Sequence, residues 1–407
     1  MKLVREDYMK LLRPYYESDV IKVITGVRRA GKSVLMETVK DELLANGVDG
    51  SHVISVNLED LDYSFITDVK SLYEELKSRI SDNKKYYIFL DEIQHIEHFE
   101  KVLASLRAKF DCSVFITGSD STMLSGELAT LLTGRTVEFE VFPFSFKESV
   151  DFLTLNKIDC NPYEFINDYI KWGGFPLRFD FREESSIKRF LKNLYSNIVN
   201  RDIIGKSSKI NRKAFLDISL YIMANAGKEF SPENIASFYE KRTGITVSKR
   251  TIYNYIEKLR NAFILHSCRK YSIVGKEALD SKEKFYATDT GLRTLNTNGV
   301  NYEDTFFLEN IIFNELVVQG FSVFTGKTYK GEIDFVAIKG NKKCFIQVAY
   351  LLSGEETILR EFGAFSKITD ASPKYVLSLD RIDLSHDGIE HLNIVDFLLR
   401  KVSLHIS

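Results

Sequence analysis

Two short stretches carry residue types able to handle a phosphate chain. Gly26-Val27-Arg28-Arg29-Ala30-Gly31-Lys32-Ser33 fits the spacing G-x-x-x-x-G-K-[ST], and Asp91-Glu92 closes an apolar run that begins at Tyr86. Glycines at 26 and 31 permit a turn tight enough for successive N–H groups to surround phosphate oxygens. Lys32 would place a cation between the β- and γ-phosphates of a nucleoside triphosphate, and Ser33 would offer a hydroxyl to Mg2+. Arg28 and Arg29 could meet phosphate or a nearby acid. Of the two acids, Asp91 would hold Mg2+, largely through its water, and Glu92 would polarise the attacking water as general base. An isolated Asp-Glu pair caps a helix more often than it catalyses; downstream of a phosphate loop, after a buried strand, the catalytic reading takes precedence.

Such residues need elements that bring distant segments to one edge. The apolar residues of 21–24 read as a strand before the loop, and Val34 opens a helix whose N-terminus would add its positive dipole end to the binding set. Strands are expected again at 53–58, 86–90, 113–116 and 136–141, with helices near 68–81 and 122–133. Continuous apolar runs such as Tyr86-Tyr87-Ile88-Phe89-Leu90 suit a parallel sheet covered on both faces, with ligands at the carboxyl ends of its strands. After the fourth run, Thr117 and Ser119 are candidates to touch the γ-phosphate or the lytic water, although Ser119 also suits a turn or helix cap. A helix over 5–18, broken near Pro14, would precede the sheet.

The series GVRRAGKS, YIFLDEIQ, FITGSDS, LLTGR and VFPFSFKE resembles the AAA+ superfamily. More narrowly, it is similar to a large group of bacterial and archaeal AAA+ ATPases with a poorly characterised C-terminal region. The resemblance implies ATP and Mg2+ as cofactors, ATP hydrolysis, and a homo-oligomer. It also implies that Arg135, just before the fifth strand, is a finger completing a neighbouring subunit's site; a helix-end arginine satisfying carbonyls is the competing reading. Lys171-Trp172-Gly173-Gly174-Phe175-Pro176 resembles the G-x-P turn with which related ATPases clamp the adenine side, which would add Pro176 to the nucleotide contacts; a plain helix-to-helix turn is the alternative.

At 407 residues the chain is long enough for two to four domains, and 44% apolar with 28% charged residues is ordinary globular composition. A net charge of −2 gives no global attraction to nucleic acid or anionic membrane, so any such binding must be local. No apolar run is long enough to span a bilayer, and the charged N-terminus lacks a secretory core, which points to the cytoplasm. Cys112, Cys160, Cys268 and Cys344 are too scattered for a zinc site or a disulfide framework.

Residues 210–290 read as a helix-turn-helix followed by two strands (262–274 and 284–288), the pattern of a winged helix. Its third helix carries Lys249, Arg250, Asn254 and Lys258 on polar positions, as a DNA-reading helix requires, while Ile252, Tyr255, Ile256 and Leu259 turn inward. Protein packing is the alternative use. Beyond 300, a helix with Glu309, a strand with Asp334 and a strand with Gln347 resemble the PD-(D/E)XK restriction-endonuclease-like fold, in which two carboxylates bind Mg2+ and a lysine aids the nucleophile. Here the second acid is Gln347 and the lysine position is Ala349, so a non-cleaving module is expected.

The expectation is therefore an α/β protein: an AAA+ parallel-sheet core at 1–155, a helical lid at 156–209, a winged helix at 210–300 and an endonuclease-like domain at 301–407. As an oligomeric ATPase it would couple hydrolysis to DNA binding or remodelling. The alternatives are a STAND-like nucleotide-gated switch acting through proteins, and a DNA-binding protein regulated by ATP.

Overall fold

The computed structural model describes residues 2–121, 132, 134–205, 210–273, 275, 277–295, 304–328 and 331–406, with 277–282 and 304 described by their backbone alone. The chain divides into two compact units, Lys2–Val141 with Asn261–Phe263, and Phe142–Arg260 with Ile264–Ser407.

The first unit runs α1 (Glu6–Leu12), a 3-10 turn carrying Pro14, β1 (Ile21–Thr25), α2 (Lys32–Ala45), β2 (Val53–Asn57), α3 (Val69–Ser78), β3 (Tyr86–Asp91), α4 (Glu100–Lys109), β4 (Cys112–Thr117) and β5 (Thr136–Glu140). The helix expected near 122–133 lies almost wholly outside the described residues. All five strands are parallel, in the order β2-β3-β4-β1-β5. Every residue of β1, β3 and β4 is buried, which is why these strands are nearly unbroken apolar runs. Ile24 stands opposite Thr117 and Asn57 opposite Asp91, so the loop after β1 and the ends of β3 and β4 leave the sheet along one edge.

The second unit opens with α5 (Phe146–Leu155), whose start Ser145 and Glu148 fix as a reciprocal capping box. There follow α6 (Pro162–Trp172), α7 (Glu184–Ile198) with a π-helical turn over Val199–Ile204, α8 (Arg212–Ala224), α9 (Pro232–Thr243) and α10 (Lys249–Asn261). Ser231 caps α9 with Pro232 in its first turn, and Gly244 ends it in the left-handed region. Then come β6 (Leu265–Ser272), β7 (Glu277–Ala287), α11 (Thr290–Thr294), α12 (Asp304–Val318), β8 (Ser322–Lys327), β9 (Glu332–Lys339), β10 (Lys342–Val348), α13 (Glu355–Gly363), β11 (Lys374–Ser378), β12 (Glu390–Asn393) and α14 (Ile394–Leu398).

The strands of this unit form one sheet, β12-β11-β10-β9-β8-β6-β7, where the sequence suggested a separate wing and a separate C-terminal domain meeting at 300/301. The reason is an open strand edge: β6 pairs with β7 on one side, and on the other Lys270–Ser272 pair in parallel with Thr325–Lys327 of β8. The expected lid helices share the same core. Phe146, Ile166 and Ile170 belong to one cluster with Tyr286, Ile312, Phe335 and Val395, and the Tyr163 hydroxyl donates to Asp396 at 2.6 Å. Four-residue β12 and five-residue α14 are too short to show in the sequence pattern. Among the described residues no helix is long and apolar enough to cross a membrane. All four cysteines are free, and Cys112, Cys268 and Cys344 are buried.

Candidate nucleotide site

The glycine loop spans β1 and α2. Gly26 has φ +131°, and a Cβ there would stand 2.2 Å from the Val141 carbonyl oxygen, so only glycine allows the loop to leave the sheet this close to the end of β5. Gly31 at φ +97° turns the chain into α2. The Lys32 ammonium is buried and donates to the loop's own carbonyls, Gly26 at 2.9 Å and Val27 at 3.2 Å. Ser33 and Val34 are exposed at the first turn of the helix. Arg28 pairs with Glu59 at 2.5 Å, and Arg29 is exposed with φ +69°.

The acids lie where the strand order brings them. Asp91 hydrogen-bonds Thr117 and Ser33, and burial raises its pKa above the usual carboxylate range against the pull of those two hydroxyls. Glu92 adopts the left-handed region at φ +53°, its N–H donates to the Thr117 hydroxyl at 2.9 Å, and its carboxylate accepts from the Gln94 amide. Thr117 thus joins both acids, and Ser119 is buried beyond it. Arg135 is exposed after Gly134 at φ +69°, and its carbonyl accepts from Ile21 N–H at 2.8 Å. These residues fit a phosphate chain and a divalent cation: glycines that cannot carry a side chain, a buried ammonium donating to carbonyls of the loop, and a buried carboxylate bonded to the Ser33 hydroxyl. One neighbour escaped the sequence reading. Arg5, upstream of α1, donates from Nη1 to the Ala30 carbonyl at 3.0 Å.

Pro176 belongs to the second unit, where it opens a 3-10 turn over Pro176–Asp180. The glycines before it make close approaches, and what they approach is protein. A Cβ on Gly173 would lie 1.9 Å from Asp289 Oδ1, and one on Gly174 1.9 Å from the Phe144 carbonyl oxygen. Asp289 accepts from Gly174 N–H at 2.6 Å and Gly291 N–H at 2.8 Å, and burial pushes its carboxyl up to about 6. Arg178 Nε holds the Gly173 carbonyl at 2.6 Å.

On α10, Ile252, Tyr255, Ile256 and Leu259 are buried. Arg250 and Asn254 are exposed, Lys258 is half-buried, and Lys249 is exposed but paired with Glu233 on α9 at 2.5 Å. In the seven-stranded sheet, Glu309 of α12 is buried and accepts from the Tyr286 hydroxyl at 3.4 Å. Asp334 of β9 accepts from Val348 N–H at 2.8 Å, and its own N–H donates to Gln347 Oε1 at 3.3 Å. Sequence reasoning found no lysine at Ala349, yet a cation is present. Lys284 of β7 is buried, and its ammonium lies 3.0 Å from Glu332 Oε1. Burial works to lower its pKa, and the carboxylates of Glu309, Glu332 and Asp334 more than offset that, leaving it raised. The available signal was the i, i+2 spacing of Lys284 and Tyr286, which puts both on one strand face. Among the described residues no three His, Cys, Asp or Glu side chains are grouped to hold a metal ion.

A family model described as an AAA domain matches residues 18–150, and one described as a domain of unknown function matches residues 163–301. The chain is 34% identical over 403 residues to an uncharacterized protein of Haemophilus influenzae, covering 97% of this chain and 98% of that one. It is 29% identical over 394 residues to an uncharacterized protein of Methanocaldococcus jannaschii, covering 92% and 85%. Among solved structures, a Walker-type ATPase of Pyrococcus abyssi superposes with a TM-score of 0.49 at 17% identity, over 73% of this chain and 96% of that one.

Proposed function

We propose, from the premise that this chain belongs to the family of the Haemophilus influenzae protein and carries an AAA domain, that it is an ATP-binding, Mg2+-dependent ATPase. One observation supports this most directly: Lys32 and Ser33 after β1 and Asp91 and Glu92 at the end of β3 flank the end of β4, whose Thr117 is bonded to both acids. In this reading the N–H groups of 26–34 and the Lys32 ammonium bind the phosphates. Ser33 and Asp91 hold Mg2+, which supplies charge neutralisation at the transferring phosphoryl group. Glu92 takes a proton from water, oriented by the Thr117 hydroxyl at its own N–H. Ser119 is a second polar group beyond Thr117. Exposed Arg135 suits a finger offered to a neighbouring subunit of a homo-oligomer.

In the same reading, α8–α10 with the β6–β7 hairpin serve as a winged helix. Arg250, Asn254 and Lys258 face DNA, with Lys249 tethered to Glu233 at their edge. The endonuclease-like part does not cleave in this reading, because an amide, Gln347, stands for the second acid and Ala349 for the lysine. The test is nucleotide binding and turnover with and without linear, forked and four-way DNA. Lys32→Ala should lose ATP binding at least a hundredfold. Retained affinity in that variant, or no turnover with any DNA, overturns the reading.

A further inference from the structure

In a loop that wraps phosphate, N–H groups can face the ligand only if the intervening carbonyls face elsewhere, and each such carbonyl then needs a partner of its own. Ala30 supplies the last carbonyl before α2. Across the planar trans peptide that joins it to Gly31, the carbonyl and the N–H point in opposite directions, so whatever holds one aims the other. Nothing local would hold it. Gly31 sits at φ +97°, in a region where glycine rotates with little resistance, and Arg29 before it is also at positive φ, +69°.

The partner comes from outside the motif. Arg5 is 3% exposed, and its Nη1 donates to the Ala30 carbonyl at 3.0 Å across 25 residues of chain. Its own position is fixed twice. The Arg5 carbonyl accepts from Tyr8 N–H at 3.0 Å and Met9 N–H at 3.1 Å, which ties it to the first turn of α1, and its guanidinium lies over the Tyr8 ring at 4.5 Å. Tyr8, Met9 and Leu12 bury one face of that helix, so the arginine stands on a rigid base.

We infer that Arg5 is a positioning residue of the phosphate loop: its guanidinium pins the Ala30 carbonyl outward and thereby holds the Gly31 N–H aimed at the phosphate chain. The inference rests on the nucleotide-binding reading of residues 26–33. A hydrogen bond from a charged donor is stronger than a neutral one, and a buried carbonyl left unpartnered is free to swing, so loss of Arg5 should weaken ground-state and transition-state binding alike. KM then rises and kcat at saturation is spared. A purely structural arginine would do the reverse: part of the sample would be inactive, with kcat down and KM unchanged.

The experiment compares Arg5→Met, Arg5→Gln and Arg5→Lys in the full chain by ATP titration and steady-state hydrolysis, with melting followed in parallel. Arg5→Met should raise KM and Kd for ATP about tenfold, equal to about 1.4 kcal/mol. Arg5→Gln should lie between Met and wild type, and Arg5→Lys within threefold of wild type. If the Met variant does not fold, the Gln and Lys variants carry the comparison. Unchanged KM and Kd in a folded Met or Gln variant overturn the inference, as does a fall in kcat with KM fixed. Lys32→Ala, run alongside, separates the two claims: wild-type ATP affinity in that variant would remove the nucleotide site itself, whatever Arg5 does.

Discussion

The molecule holds two clusters of the same residue types, and they are arranged to opposite ends. Around the glycine loop, Lys32 and Asp91 are buried at the rim of a parallel sheet, and their hydrogen-bond partners are loop carbonyls and hydroxyls, which can be exchanged for a ligand's oxygens. In the seven-stranded sheet, Lys284 is buried against Glu332, with Glu309 and Asp334 close enough to raise its pKa. The second cluster packs one buried cation among three carboxylates. In the first, Lys32 donates to loop carbonyls and Asp91 accepts from the Thr117 hydroxyl, with Lys32 near enough to pull the Asp91 pKa down against burial. A lysine with acids therefore marks a reactive site where strand ends leave both bonded to groups that a ligand can displace.

The largest effect expected of that contrast is on turnover. Replacing Glu92 by Gln keeps the shape and removes the base, so kcat should fall about 100- to 10,000-fold, the span usual for a lost general base, while Kd for ATP moves less than threefold. Equal losses in kcat and affinity would mean that Glu92 holds the loop instead of acting on water. The second cluster should answer in stability. Lys284→Met removes the cation shared by Glu309, Glu332 and Asp334, leaving Arg293 near Glu309, and breaking a buried pair in this way costs about 3–5 kcal/mol. Urea unfolding should show that loss with Kd for ATP unchanged in the folded variant. A Lys284→Met protein of wild-type stability would show that the acids have other counter-charges, and the comparison would fail.

How far each cluster could be read from sequence follows from how local it is. The phosphate loop is eight consecutive residues between a strand and a helix, and its glycines are required by φ values and by Val141, so the pattern carried its own geometry. The five strands were equally legible, β1, β3 and β4 as buried apolar runs and β2 and β5 as mixed, less buried ones. The Lys284 cluster was not, because it depends on β6 and β7 joining β8 in one sheet, a pairing between segments that show no sign of each other along the chain. Gly173 and Gly174 were half legible. Paired glycines announce a close approach without naming what approaches, and here it is the Asp289 carboxylate, 115 residues further on. Arg5 lay at the start of the helix expected over 5–18, and a single cation at a helix end has no spacing to give it away.

The smallest expected effect tests whether the same distinction, between charges already paired and charges left facing solvent, governs the basic helix. Lys249 and Arg250 are neighbours on α10 and look equivalent in sequence, but Lys249 is bound to Glu233 at 2.5 Å and Arg250 is exposed. A cation already bonded to a carboxylate displaces fewer counter-ions when it meets a phosphate, so the two should differ in DNA affinity and in its salt dependence. Arg250→Ala should weaken DNA binding several-fold, about 1 kcal/mol, and lower the slope of log K against log salt by about one; Lys249→Ala should change both by less than half as much. Glu233→Gln supplies the reverse case, because it frees Lys249 without removing any cation and should steepen the salt slope. If Lys249→Ala and Arg250→Ala prove equal, the Glu233 pair does not persist in the bound state and pairing is no guide to which surface charges this helix uses. If neither matters, α10 packs against protein, and the contrast drawn from the two buried clusters does not extend to the surface.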